Sequence, residues 1–186
     1  MKLGKEKIWN VPNVLTMLRM ALIPVYWIVF MQGHRYEALI IFIIASLTDL
    51  ADGYIARKYH LITNFGKLMD PLADKLMVIS VMLSLALKKT VPWIPLIILF
   101  AKELLLVLGG MLMLDKGVVV YSKWIGKLSQ TCVVSSLILS FFSDFFLRIH
   151  FPLHLILIWV GVALTIIAFV FYLQNALKLL KANENK

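Results

Sequence analysis

The 186-residue chain is 61% hydrophobic and only 16% charged, with a formal net charge of +9. A water-soluble domain of this length normally carries more polar surface, so the composition favours a polytopic membrane protein over a soluble one. The basic residues stand mostly at the ends of apolar segments, which fits anionic lipid headgroups and not nucleic acid. A single cysteine, Cys132, excludes an intrachain disulfide and a thiolate metal cluster.

Six apolar segments follow one another, each close to the roughly 20 residues that cross a hydrocarbon core. They are expected at 13–32, 36–57, 68–87, 92–114, 123–143 and 152–175. Because only short connections join them, we predict an all-α fold, with residues 1–186 forming a single domain and one bundle of six transmembrane helices. The basic segment before Pro12 is expected to be a short interfacial piece at the N-terminus.

Lysine and arginine set the expected orientation in the membrane. Groups of basic residues precede the first segment, follow the second, surround the connection between the fourth and fifth, and follow the sixth. The connections on the opposite side hold fewer. By the positive-inside rule, both termini and the connection between the second and third segments are expected on the cytoplasmic side of the plasma membrane.

Four aspartates flank that cytoplasmic connection. Asp49 and Asp52 are three residues apart, and Asp70 and Asp74 are four apart, so each pair occupies one face of its own helix. Two helices joined by a short turn can set these faces opposite each other. Each charge costs at least about 2.5 kcal/mol near the centre of a membrane helix. The cluster therefore requires a bound positive charge.

Hard carboxylate oxygens favour Mg²⁺, Mn²⁺ or Ca²⁺. Four carboxylates suit two divalent ions, the arrangement that stabilises the attacking and leaving oxygens in phosphoryl transfer. The neighbouring cations Arg57, Lys67 and Lys75 suit a ligand that carries phosphate, and Gly53 leaves backbone open to its approach. Intramembrane carboxylates also occur in ion and proton carriers, so a non-enzymatic carrier is the alternative hypothesis.

The whole motif resembles the signature of the CDP-alcohol phosphatidyltransferase family. It reads Asp49-x-x-Asp52-Gly53-x-x-Ala56-Arg57, then eight residues, then Gly66-x-x-x-Asp70-x-x-x-Asp74. The stretches NVPNVLTMLRMALIP and WIGKLSQT also look like segments of this family. The resemblance implies six membrane helices, a homodimer and CDP-diacylglycerol as donor. An acceptor hydroxyl would attack the phosphate that bears the diacylglycerol, and CMP would leave.

The resemblance also implies roles for individual residues. Two Mg²⁺ or Mn²⁺ ions would be held by four carboxylates: Asp49, Asp52, Asp70 and Asp74. Asp74 would in addition be the base that takes the acceptor's proton. The CDP portion would be held by Gly53, Arg57 and Thr63, with Asn13 and Thr16 as weaker candidates. For the last two, capping the first helix is an equal alternative.

The stretch TNFGKLMDPLADK most resembles the branch of the family that uses glycerol 3-phosphate. Lys67, Lys102 and Lys127 could bind that anionic acceptor. The chain departs from this branch at two positions: it has Lys102-Glu103 where Arg-Glu is usual, and Ser129 where a lysine is usual. Both departures reduce the expected affinity for a free phosphate. They suit the alternative, a cardiolipin synthase of the same family whose acceptor is phosphatidylglycerol, while glycerol 3-phosphate stays the favoured acceptor. A catalytically quiet scaffold is disfavoured by the intact set of aspartates.

Overall fold

The computed structural model describes residues 10–59, 63–114 and 124–184, and within these ranges the side chains of 50–51, 53, 56–57, 64, 67–68, 107–114 and 179–184 stand outside the description. All regular structure in the described ranges is helical. The helices are α1 (Val11–Met31), α2 (Arg35–Lys58), α3 (Asn64–Leu87), α4 (Trp93–Leu114), α5 (Trp124–Ser140), α6 (Ser143–Arg148) and α7 (Leu153–Glu184).

The six long helices coincide with the six predicted apolar segments, and the all-α prediction is confirmed for the described residues. The prediction differs at three points, one of which is the end of the last helix: α7 continues to Glu184, nine residues beyond the predicted 175. Helix α3 begins at Asn64 instead of residue 68, and the connection before the last segment contains α6, a short helix that apolar length alone does not reveal. The predicted interfacial segment falls in residues 1–9, which lie outside the described residues.

Two helical stretches are long and apolar enough to cross a membrane, Val11–Met31 and Leu153–Lys178. Large apolar side chains are also exposed along the other long helices, for example Leu47 on α2, Ile97 on α4 and Leu128 on α5. A water-soluble monomer rarely exposes so much apolar surface. The distribution is typical of a helical membrane protein.

The chain forms two compact units, Met1–Ser84 and Leu85–Lys186. In the first unit α1 and α2 pack side by side, joined by a tight turn at Gly33, whose φ of +90° favours glycine. Helix α1 also contacts α3, where the buried Tyr26 hydroxyl lies 2.5 Å from that of Ser84. These contacts hold α1 against both helices that carry the aspartates.

In the second unit α5 and α7 form an extensive antiparallel pair. Its core is apolar and includes Val133, Leu137, Ile158 and Val162. The backbone of Gly161 lies so close to Val133 that an added Cβ would be 2.8 Å from Val133 Cγ2. Small residues at a helix interface permit this close approach of backbones.

Candidate active site

Helix α1 carries a polar face made of Asn13, Thr16 and Arg19. These residues are spaced by three and therefore lie on one side of the helix. All three are buried, with at most 1% of each residue exposed. The helix begins at the cap residue Asn10, whose side chain accepts a 2.9 Å hydrogen bond from the backbone N–H of Asn13. The side chains of this polar face contact residues of α2 and α3.

Arg19 lies against the aspartate pair of α2. Its Nη1 is 2.9 Å from Asp49 Oδ1, and its Nη2 is 2.5 Å from Asp52 Oδ2. Asp52 is 2% exposed, whereas the Asp49 side chain is 36% exposed. Because the two aspartates are three residues apart on one face of α2, a single planar guanidinium can contact both.

Thr16 connects the same face of α1 to α3. Its hydroxyl contacts Asp70 Oδ1 and lies 3.1 Å from the carbonyl oxygen of Pro12. The carboxylates of Asp49 and Asp70 both lie near enough for their charges to act on Asp52. Asp52 of α2 and Asp70 of α3 therefore lie against the same face of α1. Asp74 lies one turn beyond Asp70 on α3 and is half-buried.

Asn13, on α1, contacts the residues at the start of α3. The Thr63 hydroxyl donates to Asn13 Oδ1 at 3.0 Å and accepts from the backbone N–H of Gly66 at 3.0 Å. There is no room for a side chain at Gly66, since a Cβ there would lie 2.8 Å from Asn13 Oδ1 and 3.5 Å from Asp70 Oδ2. Thr63 and Gly66 are therefore joined to the aspartate cluster through α1.

The remaining predicted site residues either have side chains outside the description or lie in the second unit. Gly53, Arg57 and Lys67 lie on α2 and α3, but their side chains are outside the description. Lys102 forms an ion pair with its neighbour Glu103 on α4, and Lys127 is exposed on α5. Both belong to the second unit. Their assignment to the acceptor stays a prediction.

Ser129, where a lysine is usual in the family, is buried between α5 and α7. Its hydroxyl donates to the carbonyl of Gly126 at 3.1 Å and accepts from Thr165 Oγ1 at 3.0 Å. A hydroxyl with both partners inside a helix interface contributes to packing. A lysine side chain at this position would have to leave that interface to keep its charge solvated.

The donor set of the aspartates has the chemistry of a site for hard divalent cations, because carboxylate oxygens are their preferred ligands. Among the described residues, however, no three His, Cys, Asp or Glu side chains converge as a ready metal-binding group. Arg19 engages one oxygen of Asp49 and one of Asp52, which leaves the second oxygen of each outside that contact.

Arg19 was absent from the predicted site, although the sequence contains a signal for it. It stands three residues after Thr16 and six after Asn13, so a polar face on an otherwise apolar helix was visible. An arginine inside an apolar segment is itself an indication of a functional site.

Buried charged and polar side chains connect α1, α2 and α3, and the outer surfaces of the long helices are apolar. Together these features are typical of a helical membrane protein with a charged site in its first unit. The family model of the CDP-alcohol phosphatidyltransferases matches residues 9–167. The chain belongs to this family. The matched range includes every residue of the site described above.

Curated relatives carry names consistent with this family. The CDP-diacylglycerol–glycerol-3-phosphate 3-phosphatidyltransferase of Bacillus subtilis (strain 168) is 34% identical over 178 residues, 86% of this chain and 91% of the relative. The protein of the same name from Rickettsia bellii (strain RML369-C) is 46% identical over 99 residues, 52% of this chain and about half (55%) of the relative. A probable phosphatidylglycerophosphate synthase of Mycobacterium tuberculosis (strain ATCC 25618 / H37Rv) is 32% identical over 184 residues, 94% of this chain and 85% of the relative.

Proposed function

We propose that the protein transfers the phosphatidyl group of CDP-diacylglycerol to glycerol 3-phosphate, giving phosphatidylglycerophosphate and CMP in phospholipid biosynthesis. The observation that carries the proposal is the cluster in which Asp52 and Asp70, from two helices, lie against one polar face of α1. The names of the relatives support the choice of substrates, above all the B. subtilis protein, which the match covers almost completely.

In the proposed reaction the hydroxyl of the acceptor attacks the phosphorus that bears the diacylglycerol. A new P–O bond forms, the bond to the CMP phosphate breaks, and CMP leaves with that oxygen. Asp74 takes the proton of the hydroxyl. Asp49, Asp52, Asp70 and Asp74 would hold two Mg²⁺ or Mn²⁺ ions, which when bound supply the positive charge that stabilises the attacking and leaving oxygens.

Binding of the CDP portion is assigned to Gly53, Arg57, Thr63 and Asn13. The hydrogen bond between Thr63 and Asn13 supports a shared pocket, since it holds two polar side chains together against the backbone of Gly66. The contact of Thr16 with Asp70 supports a different role for Thr16: it orients a carboxylate. Lys67, Lys102 and Lys127 are proposed to bind the acceptor phosphate.

The test offers purified protein CDP-diacylglycerol with Mg²⁺ or Mn²⁺ and glycerol 3-phosphate, and identifies both CMP and the lipid product. We expect equimolar CMP and phosphatidylglycerophosphate, and no product when the metal is chelated. Absence of CMP with every alcohol offered would remove the enzyme proposal. A parallel vesicle-flux assay addresses the carrier hypothesis, which predicts ion movement that needs no nucleotide.

A second acceptor, phosphatidylglycerol, is favoured by a specific observation. Lys102 is paired with Glu103, and position 129 holds a serine, which is hydrogen-bonded to Thr165, where the family usually has a lysine. Neither position therefore offers an unpaired positive charge to the acceptor. Phosphatidylglycerol carries one negative charge near its hydroxyl and needs less positive charge around it. Offering the two acceptors separately distinguishes them, because this acceptor yields cardiolipin.

We also propose six membrane crossings in a single domain, a homodimer, and a cytoplasmic position for both termini and the site. Replacing Cys132 by alanine gives a background for single-cysteine labelling. Tyr59, at the end of α2, and Gln32, at the end of α1, are both exposed and lie on opposite sides in this topology. An impermeant maleimide should label Gln32→Cys in intact cells and Tyr59→Cys only after permeabilisation.

A further inference from the structure

Arg19 has no role in the reaction as proposed above, yet its placement is costly. The side chain is 1% exposed on an apolar helix, where an ionised arginine is expensive. Its buried Nε and Nη1 have no hydrogen-bond acceptor among the described residues, and an unsatisfied buried donor also costs free energy. Buried ion pairs contribute little net stability compared with apolar packing. Stability alone therefore does not account for this arginine.

The geometry of the contact suggests what Arg19 contributes. The guanidinium bridges Asp49 and Asp52 through different nitrogens, at 2.9 Å and 2.5 Å. Two carboxylates on one helix face repel each other and, without a bridge, would rotate apart or toward other partners. Nη2 donates a hydrogen bond to Asp52, and Nη1 meets Asp49 as an ion pair, so one planar guanidinium holds both carboxylates beside it.

The bridge also determines which oxygens remain for a ligand. Arg19 contacts Oδ1 of Asp49 and Oδ2 of Asp52, so the other oxygen of each carboxylate lies outside this contact. Asp70 is oriented separately, by the hydroxyl of Thr16. The polar face of α1 thus holds aspartates of both α2 and α3 from one side.

We propose that Arg19 is a positioning residue, which bridges Asp49 and Asp52 and presents their remaining oxygens to the divalent cations. This inference rests on the proposed function, since it requires that the aspartates bind metal. It predicts that Arg19 raises the affinity for the cation, although both are positive, because ordered ligands bind more tightly than ligands that must first be ordered.

The test measures Mn²⁺ binding to purified protein without lipid donor, by the loss of the free-ion electron paramagnetic resonance signal. Arg19→Met removes the bridge with little change in length, and Arg19→Lys keeps the charge on a compact group that cannot hold both carboxylates. We expect the dissociation constant to rise at least tenfold in Arg19→Met and by a smaller factor in Arg19→Lys. Arg148→Met, an exposed arginine of α6, is the matched control and should bind as the wild type does.

A double variant separates positioning from a general effect on folding. If Arg19 acts through Asp52, Arg19→Met should weaken Mn²⁺ binding much less in an Asp52→Asn background than in the wild type. Circular dichroism and a thermal melt establish that each variant is folded. Should Arg19→Met fail to fold, Arg19→Lys alone decides, because its charge is retained and its bridging geometry is lost.

The outcomes are distinguishable from failure of the proposed function. If the wild-type protein binds no Mn²⁺, the proposed metal site is wrong. If the wild type binds Mn²⁺ and a folded Arg19 variant binds it equally well or more tightly, the positioning role is overturned and the metal site stands. Tighter binding would identify Arg19 as a competitor that occupies the cation's place.

Discussion

The first unit, Met1–Ser84, buries a charged pair together with neutral polar side chains, whereas the fully buried polar side chains described in the second unit, Leu85–Lys186, are mostly hydroxyls. In the first, Arg19 and Asp52 are almost completely inaccessible and contact each other across two helices. In the second, the buried polar groups among the described residues are serines, one threonine and one histidine, which are Ser129, Ser136, Ser140, Ser143, His154 and Thr165.

Some hydroxyls of the second unit bond across the α5–α7 interface, and others bond within one helix. Ser136 donates to the carbonyl of His154 at 2.7 Å, and Ser140 donates to the carbonyl of Ser136 at 2.8 Å. Such bonds replace the apolar driving force that helices lack when they associate in lipid. They carry no charge and present no ligand set for a cation.

The difference indicates that the buried polar groups of the first unit serve chemistry and those of the second unit serve helix packing. Charges inside a membrane protein are costly and are expected where chemistry requires them, whereas hydroxyls at a helix interface contribute modestly to association. Substitutions in the first unit should therefore change activity more than stability. Substitutions of the buried hydroxyls in the second unit should change stability more than activity.

The largest expected effect is that of Asp74→Asn. The amide cannot accept the acceptor's proton or supply a charged ligand, so the rate of CMP release should fall about 10²–10⁴-fold or more. The fold should persist, as measured by circular dichroism in detergent. Asp144→Asn, on an exposed residue of α6, is the matched control and should keep wild-type activity. Substantial turnover by Asp74→Asn would remove Asp74 from the role of base.

A smaller loss is expected for Thr16→Val, which keeps the shape of the side chain and removes its hydroxyl. The hydroxyl contacts Asp70, and a hydrogen bond to a charged group contributes about 1.5–3 kcal/mol, so the rate constant for CMP release should fall about 10–100-fold. In the control Thr131→Val, the lost hydroxyl donates only to the carbonyl of Lys127 on the exposed side of α5. Equal effects of the two variants would contradict the proposed orientation of Asp70 by Thr16.

Much of this architecture follows from local patterns. Apolar length predicts the six long helices, and the spacing of Asp49, Asp52, Asp70 and Asp74 predicts two acidic faces. Neither pattern reveals what faces those carboxylates, because partners across helices depend on packing and not on neighbouring sequence. The spacing of Arg19 from Thr16 and Asn13 marks a polar face on α1, but the contact of Arg19 with these carboxylates depends on packing.

The same reason applies to Ser129. Its position in the sequence invited comparison with a lysine that binds an acceptor, whereas the structure gives it two hydrogen-bonding partners inside the α5–α7 interface. Tertiary packing determines which face of α5 is covered by α7. The short helix α6 was also missed, since six residues are too few to show a helical apolar period.

Two glycines offer a matched pair for the comparison between units. In Gly66→Ala the added Cβ would lie 2.8 Å from Asn13 Oδ1 and 3.2 Å from Thr63 Oγ1, and in Gly161→Ala it would lie 2.8 Å from Val133 Cγ2. Overpacking of either kind costs about 1–3 kcal/mol, which lowers the melting temperature.

The activities of these two variants should differ. Gly66→Ala displaces two side chains of the proposed CDP pocket, so we expect the KM for CDP-diacylglycerol to rise about tenfold. Gly161→Ala separates α5 from α7 and should leave KM and kcat near wild type at temperatures where it is folded. A loss of activity in Gly161→Ala without a lower melting temperature would break the division between the units.

The smallest expected effect is that of Thr165→Val, which removes the hydroxyl that donates to Ser129 at 3.0 Å. A neutral hydrogen bond contributes about 0.5–1.5 kcal/mol, so the melting temperature should fall slightly. Ser129→Ala removes the other partner, and the double variant should lose less than the sum of the two, because both single changes remove the same bond. The ratio of rates with glycerol 3-phosphate and phosphatidylglycerol should stay constant throughout. A shift in that ratio with Ser129→Ala would place the residue in acceptor selection instead of helix packing.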